Sequence, residues 1–449
     1  MLNDQQPVNQ RPRPEQRKFK SEAVERVIAS VKSSIKDSEL AALFEHCFPN
    51  TLDTTVRFTT NNAILDTFIV TGDIAAMWLR DSTAQVWQYL PLVNEDRALK
   101  ELFQGLIRHQ TQCVLIDPYT NAFNDGPSDS PWTKDLTEMK PELHERKWEL
   151  DSLCYVIRLA HGYWKTSGDS SCFDFTWHDA MRLIVTTMKE QQRKQGNGPY
   201  KFGRITAWST DTVPGNGYGN PVKPVGLIAS VFRPSDDATI FPFLIPSNCF
   251  AVVSLRQLAE MVEKIFQDGT FARECLNLSN EVDRAIQKFA VDDHPLFGKI
   301  YSYEVDGFGN KLWMDDANVP SLLSLPYLAY CSHDDSVYQN TRRFVLSEHN
   351  PYFFNGTAAE GIGSPHTLAD RIWHIGIIMR ALTSRDEKET LQCLRVLKST
   401  HAGTGFMHES FHKNNSSDFT RAWFAWANSL FGELIITLNR ENPSLLDQI

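Results

Sequence analysis

Four short segments hold side chains whose types and spacing could do chemistry. Met77-Trp78-Leu79-Arg80-Asp81-Ser82 sets a tryptophan, an arginine and an aspartate almost side by side. Arginine donates through a rigid fork, aspartate accepts hydroxyl protons, and tryptophan offers a flat apolar face to a pyranose ring. The same residues suit a helix start, with Asp81 favoured by the dipole and Arg80 paired to it. Phe232-Arg233-Pro234-Ser235-Asp236-Asp237-Ala238-Thr239 sets two adjacent carboxyls between apolar runs. Burial raises a carboxyl pKa and a like charge next door raises it further, which keeps an acid protonated near neutral pH. An aspartate pair that caps a helix is the plainer alternative.

The third segment, Asn355 to His366, is a glycine-rich loop entering a helix at Pro365. Glu360 and His366 are its candidates for lining a pocket; a simple turn before a helix is the alternative. The fourth, Gly405-Phe406-Met407-His408-Glu409-Ser410-Phe411-His412, matches HExxH, in which two histidines one helical turn apart bind zinc. That motif needs several turns of helix. Gly403 and Gly405 precede it closely and Asn414-Asn415-Ser416-Ser417-Asp418 follows at once, leaving little more than one turn. A third ligand, Glu433, would sit on the next helix without a known pattern. The residues therefore read as a loop carboxylate, Glu409, flanked by Phe406 and Phe411, with no metal site and no cofactor.

The elements that must position these residues are mainly helical. Val24, Val27, Ile28, Val31 and Ile35 recur at helical spacing, as do Leu99, Leu102, Phe103, Leu106 and Ile107, and Leu150, Leu153, Cys154 and Ile157. Further amphipathic stretches cover about 82–93, 177–193, 249–267, 271–290, 319–331, 336–347, 367–383, 386–398 and 420–438, roughly a dozen helices in all. Strand signal is local: 54–59 and 63–70 flank Asn61-Asn62 as a hairpin, and short pieces near 299–305 could pair. Three connections are long, 116–146, 196–247 and 292–318, and they carry Trp132, Trp208, Tyr218, Phe241 and Trp313. Long loops this aromatic suit a site better than a floppy linker. The pattern is one toroid of paired helices, with short turns on one face and pocket-building loops on the other. Residues 1–20, polar and proline-containing, read as a flexible tail; residues 21–449 read as one domain.

Composition narrows the function. With 42% hydrophobic residues the 449-residue chain can bury a large core. Against 55 acidic side chains there are 45 Lys and Arg, a net charge of −10, so nucleic acid is a poor partner. No apolar run approaches the ~20 residues of a membrane helix. The eight cysteines form no CxxC pair and read as buried free thiols. The first twenty residues lack the apolar stretch of an export signal. They are expected either to follow a removed signal, in a periplasmic or secreted protein, or to begin a cytoplasmic one.

Taken in order, MWLRDS, ELDSLCYVIRLA, FRPSDDAT, GTAAEGIGSPHT, MHES and FAWANSLFGELI resemble glycoside hydrolase family 125 over about residues 20–440. The resemblance implies a single (α/α)6 barrel and an exo-acting, inverting α-mannosidase. Such enzymes release non-reducing terminal α-1,6-linked mannose from mannan or N-glycan-type oligosaccharides, without a required metal. It assigns the general acid to Asp236, with Asp237 as the fallback, and the general base to Glu409. It places Trp78, Arg80, Asp81, Arg233, Asp237, Glu360 and His366 around the sugar. The chemistry fits: inversion needs two carboxyls about 6.5–9.5 Å apart with a water between. Asp236 and Glu409, on different loops, can face each other, whereas the side chains of Asp236 and Asp237 diverge. Another barrel glycosidase, or a sugar-binding protein without turnover, is the alternative.

Overall fold

Two kinds of helix alternate along the chain. Gly269–Phe289 buries a single stripe, Phe271, Cys275, Leu278, Val282 and Ile286, and leaves its other face to water. Ile245–Phe266 is buried without a break from Ile245 to Leu255. The first pattern belongs to an outer helix and the second to an inner one covered on all sides. The computed structural model, which describes residues 10–62 and 64–449, arranges these as an (α/α)6 barrel. Inner positions are taken by Leu79–Ala84, Leu150–Ser167, Ile245–Phe266, His374–Leu382 and Ala425–Glu441. Residues 319–331 fill the remaining inner position. Arg97–Ile116, Phe175–Glu190, Gly269–Phe289, Ser336–Val345 and Glu387–Thr400 lie outside, with Glu22–Ser34 and Ser38–Cys47 completing the outer ring. Ala425–Glu441 packs on both Leu79–Ala84 and His374–Leu382, which closes the inner ring.

The helix starts differ between the rings. Every outer helix has a side-chain N-cap: Ser21, Asp37, Asp96, Asp174, Asp268, Asp335 or Asp386 accepts from a first-turn N–H. The inner helices have none; their cap positions are Trp78, Glu149, Leu244, Trp373 and Phe424. Neighbouring segments satisfy their backbone instead, as when Leu79 N donates to Asn121 O and Ile245 N to Tyr303 O. Three small antiparallel sheets supply these segments. Met77–Trp78 pairs with Ala122–Phe123, Phe243–Leu244 with Glu304–Val305, and Arg371–Trp373 with Ser410–His412. Each runs straight into an inner helix. The inner N-termini thus open on one end of the barrel, where the long loops gather.

Several expected elements differ. Residues 319–331 form successive turns, not a helix. Pro320 and Pro326 lack N–H groups, and the Asp315 carboxylate captures the Leu322 and Leu323 amides. Tyr155 Oη donates to Val319 O and Tyr327 Oη to Glu433, so the segment still fills its place among the inner helices. The helix expected over 367–383 begins only at His374, after a strand, and that over 420–438 begins at Ala425. The hairpin is present, with Val56 opposite Ile69 and Asn61 opposite Ile64. The expected tail is partly built in: residues 1–9 lie outside the described residues, but Arg11 pairs with Asp53 and Glu25, and Phe19 is buried. All eight cysteines are free, and six are buried. Burial pushes the Cys275 and Cys393 thiols up to about 12. Among the described residues no helix is long and apolar enough to cross a membrane.

The glycines of the third segment are explained by crowding. A Cβ on Gly363 would lie 2.0 Å from Arg371 O and 2.7 Å from the Phe354 ring; one on Gly356 would lie 2.4 Å from Lys413 O. Neither backbone carbonyl can swing aside as a side-chain tip can. Gly363→Ala is expected to destabilise the fold by about 1–3 kcal/mol, the range for forced overpacking. Urea denaturation with an unchanged slope and a lower midpoint would show it; an unchanged midpoint would refute it.

Candidate active site

The N-termini of the inner helices form the floor of a cavity of about 70 Å³. Arg80 and Asp81 come from the first turn of Leu79–Ala84, and Trp426 from that of Ala425–Glu441. Asn318, Trp373, Phe424 and Trp423 complete the floor and walls, with Asp236, His366 and Glu409 facing in from loops. This cavity leads into an outer one of about 860 Å³, built by the long loops and lined by Trp132, His144, Lys147, Arg204, Trp208, Asp211 and Asp237. The two share Trp78, Asp236, His366 and Arg421. Trp78 Nε1 and Asp81 Oδ2 are buried here with no hydrogen-bond partner among the described residues. Buried polar groups are normally paired, so these two are ready for a ligand's hydroxyls. A comparable groove of about 970 Å³ beside Phe175–Glu190 brings no such groups together; its lysines pair with its glutamates, Lys189 with Glu274 and Lys194 with Glu281.

Arg80 is the hub of the floor. Its guanidinium lies 2.5 Å from Glu149, 3.2 Å from Asp236, 3.4 Å from Asp151 and 3.5 Å from Asp81. Glu149 stands at the cap position, and Asp151 in the first turn, of the inner helix Leu150–Ser167, where the dipole favours negative charge. Burial pushes Asp81 up to about 6 despite Arg80, and it does the same to Asp151. Glu149 is raised well above the usual carboxylate range, by burial first and then by its negative neighbours.

Asp236 sits on a tight turn between Phe232 and Ala238, which pair across it. Its φ is +67°, a left-handed conformation that aspartate and asparagine tolerate better than most residues. Arg233 N donates to Asp237 O and Asp236 N to Arg233 O, closing the turn. Lys147 Nζ donates to Asp236 O at 2.8 Å and pins it to the outer wall. Asn121 Nδ2 reaches Asp236 Oδ1 at 3.4 Å. Burial favours the neutral acid, but Arg80, a hydrogen bond from Glu149, Lys147 and His366 more than offset it and hold Asp236 below the usual range. The expected raised pKa therefore falls on Glu149, its partner, and not on Asp236.

Glu409 immediately precedes the strand Ser410–His412 and lines the same inner cavity. Thr420 Oγ1 donates to its Oε2 at 2.8 Å and Arg421 Nε to its Oε1 at 3.1 Å. Arg421 also holds Asp73 at the rim. Each carboxylate oxygen is thus oriented by one donor and keeps a lone pair for a water.

The family's sequence pattern, described as metal-independent alpha-mannosidase, matches residues 37–436. The chain belongs to glycoside hydrolase family 125. A Streptococcus pneumoniae family 125 enzyme, from a family described as metal-independent alpha mannosidases and solved in a non-productive complex with α-1,6-mannobiose, is 40% identical. It covers 95% of this chain and all of that one, at a TM-score of 0.91. The meiotically up-regulated gene 157 protein of Schizosaccharomyces pombe is 42% identical, over 97% of this chain and 89% of its own length. A Bacillus rhamnosidase of family 78 shares the fold alone, at 11% identity and a TM-score of 0.56, over 91% of this chain and 35% of that one. The protein is thus a glycoside hydrolase, an α-mannosidase.

In this family 125 chain Trp78, Arg80, Asp81, Asp236, Asp237, His366 and Glu409 converge on the two cavities. Two other expected residues do not. Glu360 points away and pairs with Arg380 at 2.9 Å, because its strand, Glu360–Ile362, packs against the helix His374–Leu382. Arg233 is buried against Glu304 at 2.7 Å, while Glu304 also accepts from the Ile240 and Phe241 amides. Arg233 thus holds the Asp236 turn from behind. The HExxH match is not a metal site: Ser410–His412 is a strand, which carries His408 and His412 apart, and His408 Nδ1 lies 2.9 Å from Arg421 O. Sequence reasoning missed Glu149, Asp151, Asn121, Lys147 and Arg421. The signal for the first two was two acids at the head of an otherwise apolar helix.

His366 Nδ1 lies 3.5 Å from Asp237 Oδ1. Burial lowers its pKa, but Asp237, Glu409 and Asp236 outweigh burial and bring it up to about 9. A group raised in the fold stabilises fully below its unfolded pKa of about 6.5, and that contribution disappears as pH rises through about 9. The Tm of the parent is therefore expected to fall between pH 6.5 and 9 more steeply than that of His366→Gln. Parallel curves would remove the charged pair.

Proposed function

We propose that this α-mannosidase removes non-reducing terminal α-1,6-linked mannose with inversion, using Asp236 as general acid and Glu409 as general base. One observation carries the reading: Asp236 and Glu409, 173 positions apart in sequence, reach the same small cavity from different loops. The floor behind them is closed by Arg80, Asp81, Asn318 and Trp426, which suits a single terminal sugar. Trp78 and Asp81, whose buried Nε1 and Oδ2 lack a hydrogen-bond partner among the described residues, would meet its face and hydroxyls. The linkage is supported by the α-1,6-mannobiose held by the pneumococcal relative.

In the reaction the proton on Asp236 passes to the glycosidic oxygen as the C1–O bond breaks. A water attacks C1 from the opposite face and gives its proton to Glu409. The products are β-mannose and a glycan shorter by one sugar. Proton NMR of α-1,6-mannobiose hydrolysis tests this, with EDTA in a parallel tube. β-Mannose appearing first at an EDTA-insensitive rate is expected. α-Mannose first would mean retention and would remove both roles; α-1,2 and α-1,3 mannobiose test the linkage.

A further inference from the structure

The floor carries more negative charge than its cations can balance. Arg80 touches four carboxyls, the buried ones of Asp81, Glu149 and Asp151 and the half-buried one of Asp236. Lys147 is the next buried cation, and it is engaged by Asp211 at 2.7 Å and Glu145 at 3.4 Å. Arg204 is likewise taken by Asp135, Glu145 and Asp211. Asp237 neighbours Asp236 on the same turn, Lys147 holds its carbonyl, and His366, Glu409 and Arg421 line the cavity with it; Arg421 is taken by Glu409 and Asp73, which leaves His366 to add positive charge. Asn121 Nδ2 lies between Glu149, at 3.5 Å, and Asp236, at 3.4 Å, and donates toward both. Glu149 is fully buried, while the Asp236 side chain is 24% exposed toward the cavity.

From this placement we infer that Glu149 and Asp236 hold one proton between them, and that Glu149 is the positioning residue that keeps the acid charged with it. The inference rests on the reading of Asp236 as general acid. Two carboxyls that share one guanidinium and one amide donor cannot both ionise cheaply, so the second ionisation of the pair is pushed to high pH. The opposed directions of the two groups, Glu149 up and Asp236 down, agree with a shared proton resting on the inner partner. During turnover the pair gives that proton to the glycosidic oxygen and becomes doubly ionised beside Arg80. It regains one from water as products leave, while Glu409 returns to water the proton it took. Without Glu149, an Asp236 anion stabilised by Arg80, Lys147 and His366 would give up its proton at lower pH.

The test is the pH profile of kcat/KM on α-1,6-mannobiose. In Glu149→Gln the alkaline limb is expected to move down by at least one pH unit. A limb that stays in place, whatever the rate, overturns the inference, since a merely structural partner of Arg80 would lower activity without moving it. If that variant does not fold, Glu149→Asp carries the test. Its shorter carboxyl couples less strongly, so the limb shifts down by less than one unit, and no shift overturns the inference. Asp236→Asn is measured alongside. If it keeps the parent rate, the assignment of the acid fails. If it is inactive while the Glu149 limb stays fixed, only the shared proton fails.

Discussion

Asp236→Asn lowers kcat on α-1,6-mannobiose by about 10³-fold, within the 10²–10⁴-fold range of a general acid. Asparagine is the right replacement because residue 236 sits at φ +67°. Asparagine accepts that conformation, whereas alanine would add backbone strain to the chemical loss. Its amide can still meet the Arg80 and Asn121 side as an acceptor, so the turn from Phe232 to Ala238 has no reason to rearrange. The loss should depend on the leaving group. A mannoside with a dinitrophenolate leaving group needs no protonation, and most of the rate should return. A variant equally slow on both substrates would place Asp236 in binding or folding instead.

Glu409→Gln lowers kcat by about 10³–10⁴-fold on both substrates, because an activated leaving group does not help a water that cannot be deprotonated. The contrast between the two variants separates acid from base. Glutamine keeps an acceptor for Thr420 but leaves Arg421 with Asp73 alone. In Glu409→Ala, which opens space, azide should restore part of the turnover by attacking C1 directly, giving β-mannosyl azide. Restoration on the α side, or by azide in the Asp236 variant alone, would reverse the assignment.

Much of this was legible because it is local. A stripe at 3.6-residue spacing reports one buried face, so the outer helices stood out in the sequence. The hairpin around Asn61-Asn62 was equally plain. What failed was the segment whose fate depends on distant partners. Residues 319–331 look helical by hydrophobic spacing, but Asp315 and two prolines bend them into turns. Glu360 sits in a sequence that matches the family as well as Glu409 does. Its orientation depends on the pairing Asn355↔Glu360 and on Arg380. Glu149 was hidden for the opposite reason. Its role arises from Arg80 and Asp236, 69 and 87 positions away, and no spacing within its own segment reveals that.

The closed floor also has a kinetic consequence. The inner cavity and the outer one share Asp236, His366 and Trp78 at their junction. On the exo reading proposed above, a cleaved mannose lies behind the glycan it came from. The shortened glycan must leave first and the monosaccharide second, an obligatory order of departure. The chain cannot slide forward by one sugar and react again, so each cut ends the encounter. An enzyme built this way trims distributively: intermediates of every length accumulate in solution, and free mannose competes with fresh substrate for the emptied floor.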